Sequence, residues 1–398
     1  MTRKVFISVF EIKDIGGIST SVYNFINSIS DQCDVDLCVL TNYISPSFKL
    51  PKNINIIPFS PNFNLTFGDR SRVVNLSLWG KTKFFLLRCL RKIYGYERTL
   101  PLIMNSSKIS TSYDVAIAFW NDAFTKEGKM FWGGDYYEVV HNITAKKKIA
   151  WVHNDANQLG FTPDICRRIF QPFDAIVNVS LDCKQIFDQI IPEYAFKSHV
   201  VYNCYNIDDI LQKSVADEKT SLYSDNGKLH FVTVCRLNEQ QKKVSRIIET
   251  CSKLYNDNYI NFDWTIVGDG PDKEDYCKSA KTLIEAEVIR FVGLKPNPYP
   301  YMKYADAFIL SSLYEGLPMT IREAQIVGTP TFSTKFGAAE EAIAIGKQGE
   351  LCENSSEGLY EMVKKILAEP EKIEKYKKYI KNNPISNDIA LQQFYSII

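Results

Sequence analysis

Residues 4–10 form a run of apolar, β-branched and aromatic positions, and a polar loop carrying Gly16 and Gly17 follows at once. A run of that length predicts a buried strand. Apolar positions at helical spacing over 18–29 and a second apolar run at 35–40 complete a βαβ opening. Further apolar runs at 54–58, 113–119, 148–152, 175–179 and 198–202, several separated by helical patterns, predict more strands. Alternation of this kind implies an α/β fold, a parallel sheet covered by helices on both faces.

The pattern loosens over the polar stretch 212–228 and then restarts. Strands are expected at 229–235, 262–267, 288–291, 307–311 and 331–333, and helices at 243–254, 272–285, 299–304 and 320–327. The chain therefore reads as two Rossmann-like, doubly wound domains, 1–204 and 205–384, with a helix in 385–398 returning to the first. Such domains bind ligands outside the carboxyl ends of their strands, so a cleft between the two domains is the expected site.

A length of 398 residues is too much for one core. The net charge of +1 gives no global field for polyanions, so a charged partner must meet a local patch. Ten cysteines without a CxxC pair, beside only four histidines, offer no zinc spacing and read as reduced, buried thiols. The apolar start is too short for a signal-peptide core, and no later run reaches the length of a membrane span. A cytoplasmic protein, peripheral at most, is expected.

The most informative segment is 311–330, where Glu315 sits at a strand-to-helix turn and Glu323 follows in the next helix. Gly316 and Pro318 shape the loop between them and leave the amides of Leu317, Met319 and Thr320 at a helix start. Such amides suit an anion, a diphosphate for example. A solvated helix face accounts for two glutamates at that spacing equally well. Arg236 ends the strand of 229–235, and Lys242 and Lys243 are expected to open the next helix, where they oppose its dipole unless an anion is bound. Exposed surface charge is the plainer alternative. The turn of 267–271 places Gly268 and Gly270 around an acid, which a tight turn explains by itself. Gly16 and Gly17 are not a GxGxxG fingerprint, though they open a helix. His153, with Asp155, leaves the strand of 148–152.

Taken in order along nearly the whole chain, these residues resemble the family 4 retaining glycosyltransferases of GT-B fold, whose signature is a Glu-x7-Glu motif. The resemblance implies that Arg236 and Lys242 neutralise the donor diphosphate, that Glu323 binds the nucleotide ribose, and that Glu315 and His153 lie against the transferred sugar. It implies a donor-binding set of Gly16, Gly17, Gly268, Gly270, Leu294, Gly316, Leu317, Met319, Thr320 and Glu323. Two departures are visible: Cys235 stands where the family more often has Gly, and an extra residue before the lysine leaves Lys242 and Lys243 both open. The segment 201–206 and the strand exit at His153 are similar to bacterial capsule and lipopolysaccharide transferases.

The implied reaction is retaining transfer of a hexose or N-acetylhexosamine from a nucleotide diphosphate sugar, UDP-linked, to a glycan or lipid-linked acceptor. The first domain takes the acceptor and the second the nucleotide sugar. Neither cofactor nor metal is required, since protein cations meet the leaving group and no DxD motif follows a strand. Retention without an evident nucleophile favours same-face attack over a covalent Glu315 intermediate. A sugar-nucleotide epimerase on this architecture, and a non-catalytic nucleotide-sugar-binding subunit, are the competing functions; no nucleic-acid partner is expected. The stretch 79–100 interleaves bases with aromatics. It reads either as a helix on an anionic membrane surface, with Phe84, Leu87 and Leu90 inserting beside Arg88, Arg91 and Lys92, or as a helix packed on its sheet.

Overall fold

A computed structural model describes residues 2–13, 16–60, 62–63, 77–104, 109–216, 222–224 and 226–398. It divides the chain into one unit of Met1–Tyr205 with Asn387–Ile398 and a second of Asn206–Ser386. The polar stretch 212–228 falls within the second unit; its residues 217–221 and 225 lie outside the described ones.

The first unit is built on a seven-stranded sheet of β1 (Arg3–Val9), β2 (Cys33–Val39), β3 (Asn55–Ile57), β4 (Ser112–Ala118), β7 (Thr144–Val152), β8 (Ala175–Asn178) and β9 (Ser198–Val200). A small hairpin of β5 (Ala123–Phe124) and β6 (Met130–Trp132) sits apart from it. The order β3-β2-β1-β4-β7-β8-β9 is parallel throughout, so loops after β1, β4 and β7 meet at one edge. Helix α1 (Gly17–Ile29) covers one face, with Phe25 edge-on to Trp151 at 5.0 Å. Phe394 of the last helix, Asp388–Ser396, meets Phe25 at 4.8 Å, and this aromatic contact holds the carboxyl-terminal segment on the first unit.

The second unit repeats the scheme with β10 (Leu229–Val234), β11 (Phe262–Val267), β12 (Ile289–Gly293), β13 (Ala307–Leu310), β14 (Thr331–Thr334) and β15 (Gly349–Cys352). The order is β12-β11-β10-β13-β14-β15, again parallel. Strand β15 and the helices Ser356–Ala368 and Glu371–Asn382 were not among the elements expected from the sequence. The helix expected over 272–285 is interrupted at Ala280, which ends Lys273–Ser279 and precedes Lys281–Glu285.

The stretch 79–100 is two helices, α2 (Leu78–Tyr94) and α3 (Tyr96–Met104), separated by Gly95 at φ 83°. The face expected to insert into a membrane is the one that packs. Phe84 is buried, Leu87 rests on the core, and the Arg88 guanidinium lies 4.3 Å over the Phe84 ring. Both faces of α2 are apolar, and helical periodicity alone does not say which one the sheet takes. Among the described residues no helix is long and apolar enough to cross a membrane.

Candidate functional site

The strand order of the second unit puts the exits of β11, β10 and β13 side by side, and three loops there build the candidate site. After β13 the chain passes through 311–314, and each carbonyl of that stretch is taken by a side chain from elsewhere in the unit. Arg246 Nη1 donates to Ser311 O at 3.3 Å and Thr334 Oγ1 to Ser312 O at 2.7 Å. Asn354 Nδ2 donates to Leu313 O at 3.0 Å and Gln241 Nε2 to Tyr314 O at 3.4 Å. An irregular backbone held this way presents the next residue, Glu315, in one position.

Glu315 is buried and carries three polar contacts. Its Oε1 pairs with Lys242 Nζ and accepts from Ser312 Oγ at 2.7 Å; its Oε2 accepts from Gln241 Nε2 at 3.1 Å. The loop after β10 is stitched to the same stretch by Leu313 N donating to Gln241 O at 2.7 Å and Ser311 Oγ to Lys242 O at 2.8 Å. Contrary to the sequence expectation, Lys242 does not open a helix but ends the one-turn helix Glu239–Lys242, whose asparagine cap starts it three residues earlier. Lys243 then adopts a left-handed backbone at φ 50° and turns to Glu239, with an N–O distance of 3.3 Å. The two lysines therefore face different partners, and Lys242 is the one beside Glu315. Arg236 is exposed, and its side chain makes no hydrogen bond or ion pair among the described residues.

Gly268 and Gly270 allow a close approach by protein backbone. A Cβ at Gly268 would lie 1.9 Å from Cys235 O, and one at Gly270 would lie 2.1 Å from Leu237 O. Leu237 N donates to Asp269 O at 2.9 Å and Cys235 N to Val267 O at 3.1 Å. The glycines thus clamp the two residues flanking Arg236, a positioning role. Leu294, just past β12, is exposed.

Helix α4 (Met319–Ile326) starts after Pro318 with no side-chain cap. Its first-turn amides, those of Met319 and Thr320 included, have no intrahelical acceptor. Gly316 is buried and Leu317 half-buried in the loop that precedes it. Glu323 is buried and its carboxyl has no hydrogen bond or ion pair among the described residues; burial pushes that carboxyl up to about 7. An anionic acceptor kept buried without a donor is costly, and a hydroxyl-bearing ligand supplies the missing donor.

Three expected residues, Gly16, Gly17 and His153, belong to the first unit. Gly16, at φ 149°, precedes α1, whose first turn also lacks a side-chain cap, and no atom lies within 4 Å of a Cβ built on Gly17. His153 is buried against Phe119, at 4.8 Å between ring centroids, and burial pushes its imidazole down to about 3. Its Nε2 is 2.8 Å from Phe119 O. A carbonyl only accepts, so the neutral ring carries its proton on Nε2 and leaves Nδ1 as an acceptor. Asp155, beside it in sequence, caps a turn by accepting from Asn157 N at 2.8 Å.

Sequence reasoning passed over Gln241, Ser312, Asn354 and Arg246, since a single polar residue near a motif carries no period. It also passed over three buried acids of the first unit. Asp122 accepts from Gly134 N at 2.9 Å, Asp135 from Ser8 Oγ at 2.7 Å, and Glu138 from Asn142 Nδ2 at 2.6 Å. Burial pushes Asp122 and Glu138 up to about 8 and Asp135 well above the carboxylate range. Among the described residues no group of three His, Cys, Asp or Glu side chains is placed to hold a metal ion.

Residues 215–383 match the family described as glycosyl transferases group 1. An uncharacterised glycosyltransferase of Methanocaldococcus jannaschii is 27% identical over 198 residues, 47% of this chain and 48% of that protein. A colanic acid biosynthesis glycosyltransferase, WcaL, of Salmonella typhimurium is 33% identical over 144 residues, 33% of this chain and 34% of its own. The matched segments span half or less of these relatives. Among solved structures, Anabaena HepE in complex with UDP and glucose superposes with a TM-score of 0.64 over 99% of this chain and 98% of that one, at 14% identity. At that identity the likeness speaks for the fold, which is GT-B. Over residues 215–383 the chain is similar to the glycosyl transferases group 1 family, in keeping with its resemblance to the family 4 glycosyltransferases.

Proposed function

We propose that the protein is a retaining, metal-independent glycosyltransferase that moves a hexose or N-acetylhexosamine from a UDP-sugar to a glycan or lipid-linked acceptor in bacterial surface polysaccharide assembly, acting in the cytoplasm. The observation that carries this reading is the Glu315–Lys242 pair, clamped by Gln241 and Ser312 one loop before the uncapped start of α4 and the partnerless, buried Glu323. A donor diphosphate competes with Glu315 for Lys242. Once it wins, Lys242, Arg236 and the amides of Met319 and Thr320 face the charge that develops on the leaving group, and Glu315 keeps Gln241 and Ser312 to hold it against the sugar. Glu323 accepts from the ribose hydroxyls. The acceptor hydroxyl attacks from the face the diphosphate leaves, and the departing phosphate oxygen takes its proton.

Gly16, Gly17 and His153 enter this reading through the family resemblance. His153 serves there as a neutral acceptor through Nδ1, since its depressed pKa excludes an imidazolium at neutral pH. The known relatives named for polysaccharide assembly support the class of product.

The test is incubation with UDP- and GDP-sugars, reading free nucleoside diphosphate, for wild type, Lys242→Ala and Lys243→Ala. Turnover of a UDP-sugar that is lost in Lys242→Ala and kept in Lys243→Ala is the expected result. Loss in Lys243→Ala alone would move the phosphate contact to the other lysine. An epimerised donor would establish the rival enzyme function, and binding without any turnover the non-catalytic one.

A further inference from the structure

Among the described residues, helix α2 touches the rest of the first unit along one side. Phe84 and Leu87 make that contact, and Arg88, over the Phe84 ring, and Arg91 lie on the same side at about 100° per residue. The opposite side carries Leu78, Phe85, Leu86 and Ile93, which are 85%, 63%, 58% and 73% exposed, with Trp79 at 76% on its border. Single apolar side chains on a surface need no explanation; five along one helix do. The helix also holds five cations, Lys81, Lys83, Arg88, Arg91 and Lys92, and no acid, in a chain of net charge +1. Lys81 and Lys92 flank the outward apolar face on one side and Lys83 on the other.

We propose that this outward face of α2 seats the protein on an anionic lipid bilayer. Trp79, Phe85, Leu86 and Ile93 enter the boundary between headgroups and acyl chains, and Lys81, Lys83 and Lys92 meet the lipid phosphates. Charge complementarity selects this occupant. A second copy, related by a two-fold axis, would set Lys81, Lys83 and Lys92 against the same three lysines with no acid on the helix to answer them. Arg88 and Arg91, the bases first expected to act, lie on the packed side. The inference concerns attachment and is independent of the glycosyl-transfer reading.

The experiment is co-sedimentation with vesicles of phosphatidylglycerol and phosphatidylcholine, and with phosphatidylcholine alone, at low and high salt. Wild type is compared with Phe85→Ser/Leu86→Ser and with Lys81→Gln/Lys83→Gln/Lys92→Gln, each checked by thermal melting. Wild type should pellet with the anionic vesicles at low salt. The lysine variant should bind on the order of 100-fold more weakly, and the apolar variant should stay in solution with an unchanged melt. On the unaltered fold, Trp79 gives a second readout: emission should shift to the blue with anionic vesicles, and Trp79→Phe should lose that shift. Wild type left in the supernatant, or both variants binding the anionic vesicles as tightly as wild type, overturns the proposal. So does a concentration-dependent dimer that Phe85→Ser/Leu86→Ser abolishes, since the face would then belong to a second copy.

Discussion

In the proposed mechanism Glu323 links donor binding to stability through one buried carboxyl. Its pKa is raised from 4.5 to about 7, so the folded state holds a proton that the unfolded chain releases. Its stabilising share is therefore complete below about pH 4.5 and lost as pH climbs to about 7, which amounts to about 3 kcal/mol. Glu323→Gln should melt higher than wild type at pH 8, with the gap closing by pH 4, and should bind UDP worse at both. Equal melts at pH 8 would mean that the carboxylate has a donor after all. Arg236 carries the opposite signature: its exposed side chain has no partner among the described residues and little to hold in the fold. Arg236→Ala should keep its melt and lose about 3 kcal/mol of transition-state stabilisation, on the order of 100-fold in turnover.

The loops after β10, β11 and β13 act as one stitched element, which puts catalytic weight on residues that need not touch substrate. Gln241→Ala frees both Tyr314 O and Glu315 Oε2, and should lower kcat about 10-fold while leaving KM for the donor nearly unchanged. A KM effect alone would make Gln241 a binding residue. Gly268→Ala drives a Cβ into Cys235 O and should cost on the order of 3 kcal/mol in a melt, with the Arg236 loop displaced. The strands bearing these loops were legible because a parallel sheet buried on both faces leaves apolar runs, continuous in β13 and broken by single polar residues in β10 and β11. The Glu-x7-Glu segment was legible for a different reason: Gly316 and Pro318 mark the turn between its acids. What escaped had no period or punctuation to show it. Lys243 takes a left-handed backbone with no glycine to signal it, β15 is four residues long, and α2 is apolar on both sides.

At the scale of the molecule, acids are buried in the first unit as well as the second. Asp122 and Glu138, raised to about 8, with Asp135, give that unit stability that is complete near pH 4 and declines as pH rises to about 8. Hydrogen-exchange protection in β1 and in Asp135–His141, measured against the intrinsic exchange rate at each pH, should therefore fall between pH 5 and 8 in wild type, and less so in Asp122→Asn. The two doubly wound units and the family match over 215–383 support the proposed glycosyl transfer, in which Lys242 and Arg236 would answer a leaving diphosphate. The most direct test follows the hydrolysis or transfer of an α-linked UDP-sugar by NMR in excess EDTA, reading the anomer first formed. Retention without metal predicts the α-anomer, produced by wild type in chelator and suppressed on the order of 100-fold in Lys242→Ala. A β-anomer as first product, or activity abolished by EDTA and restored by manganese or magnesium, would contradict the account.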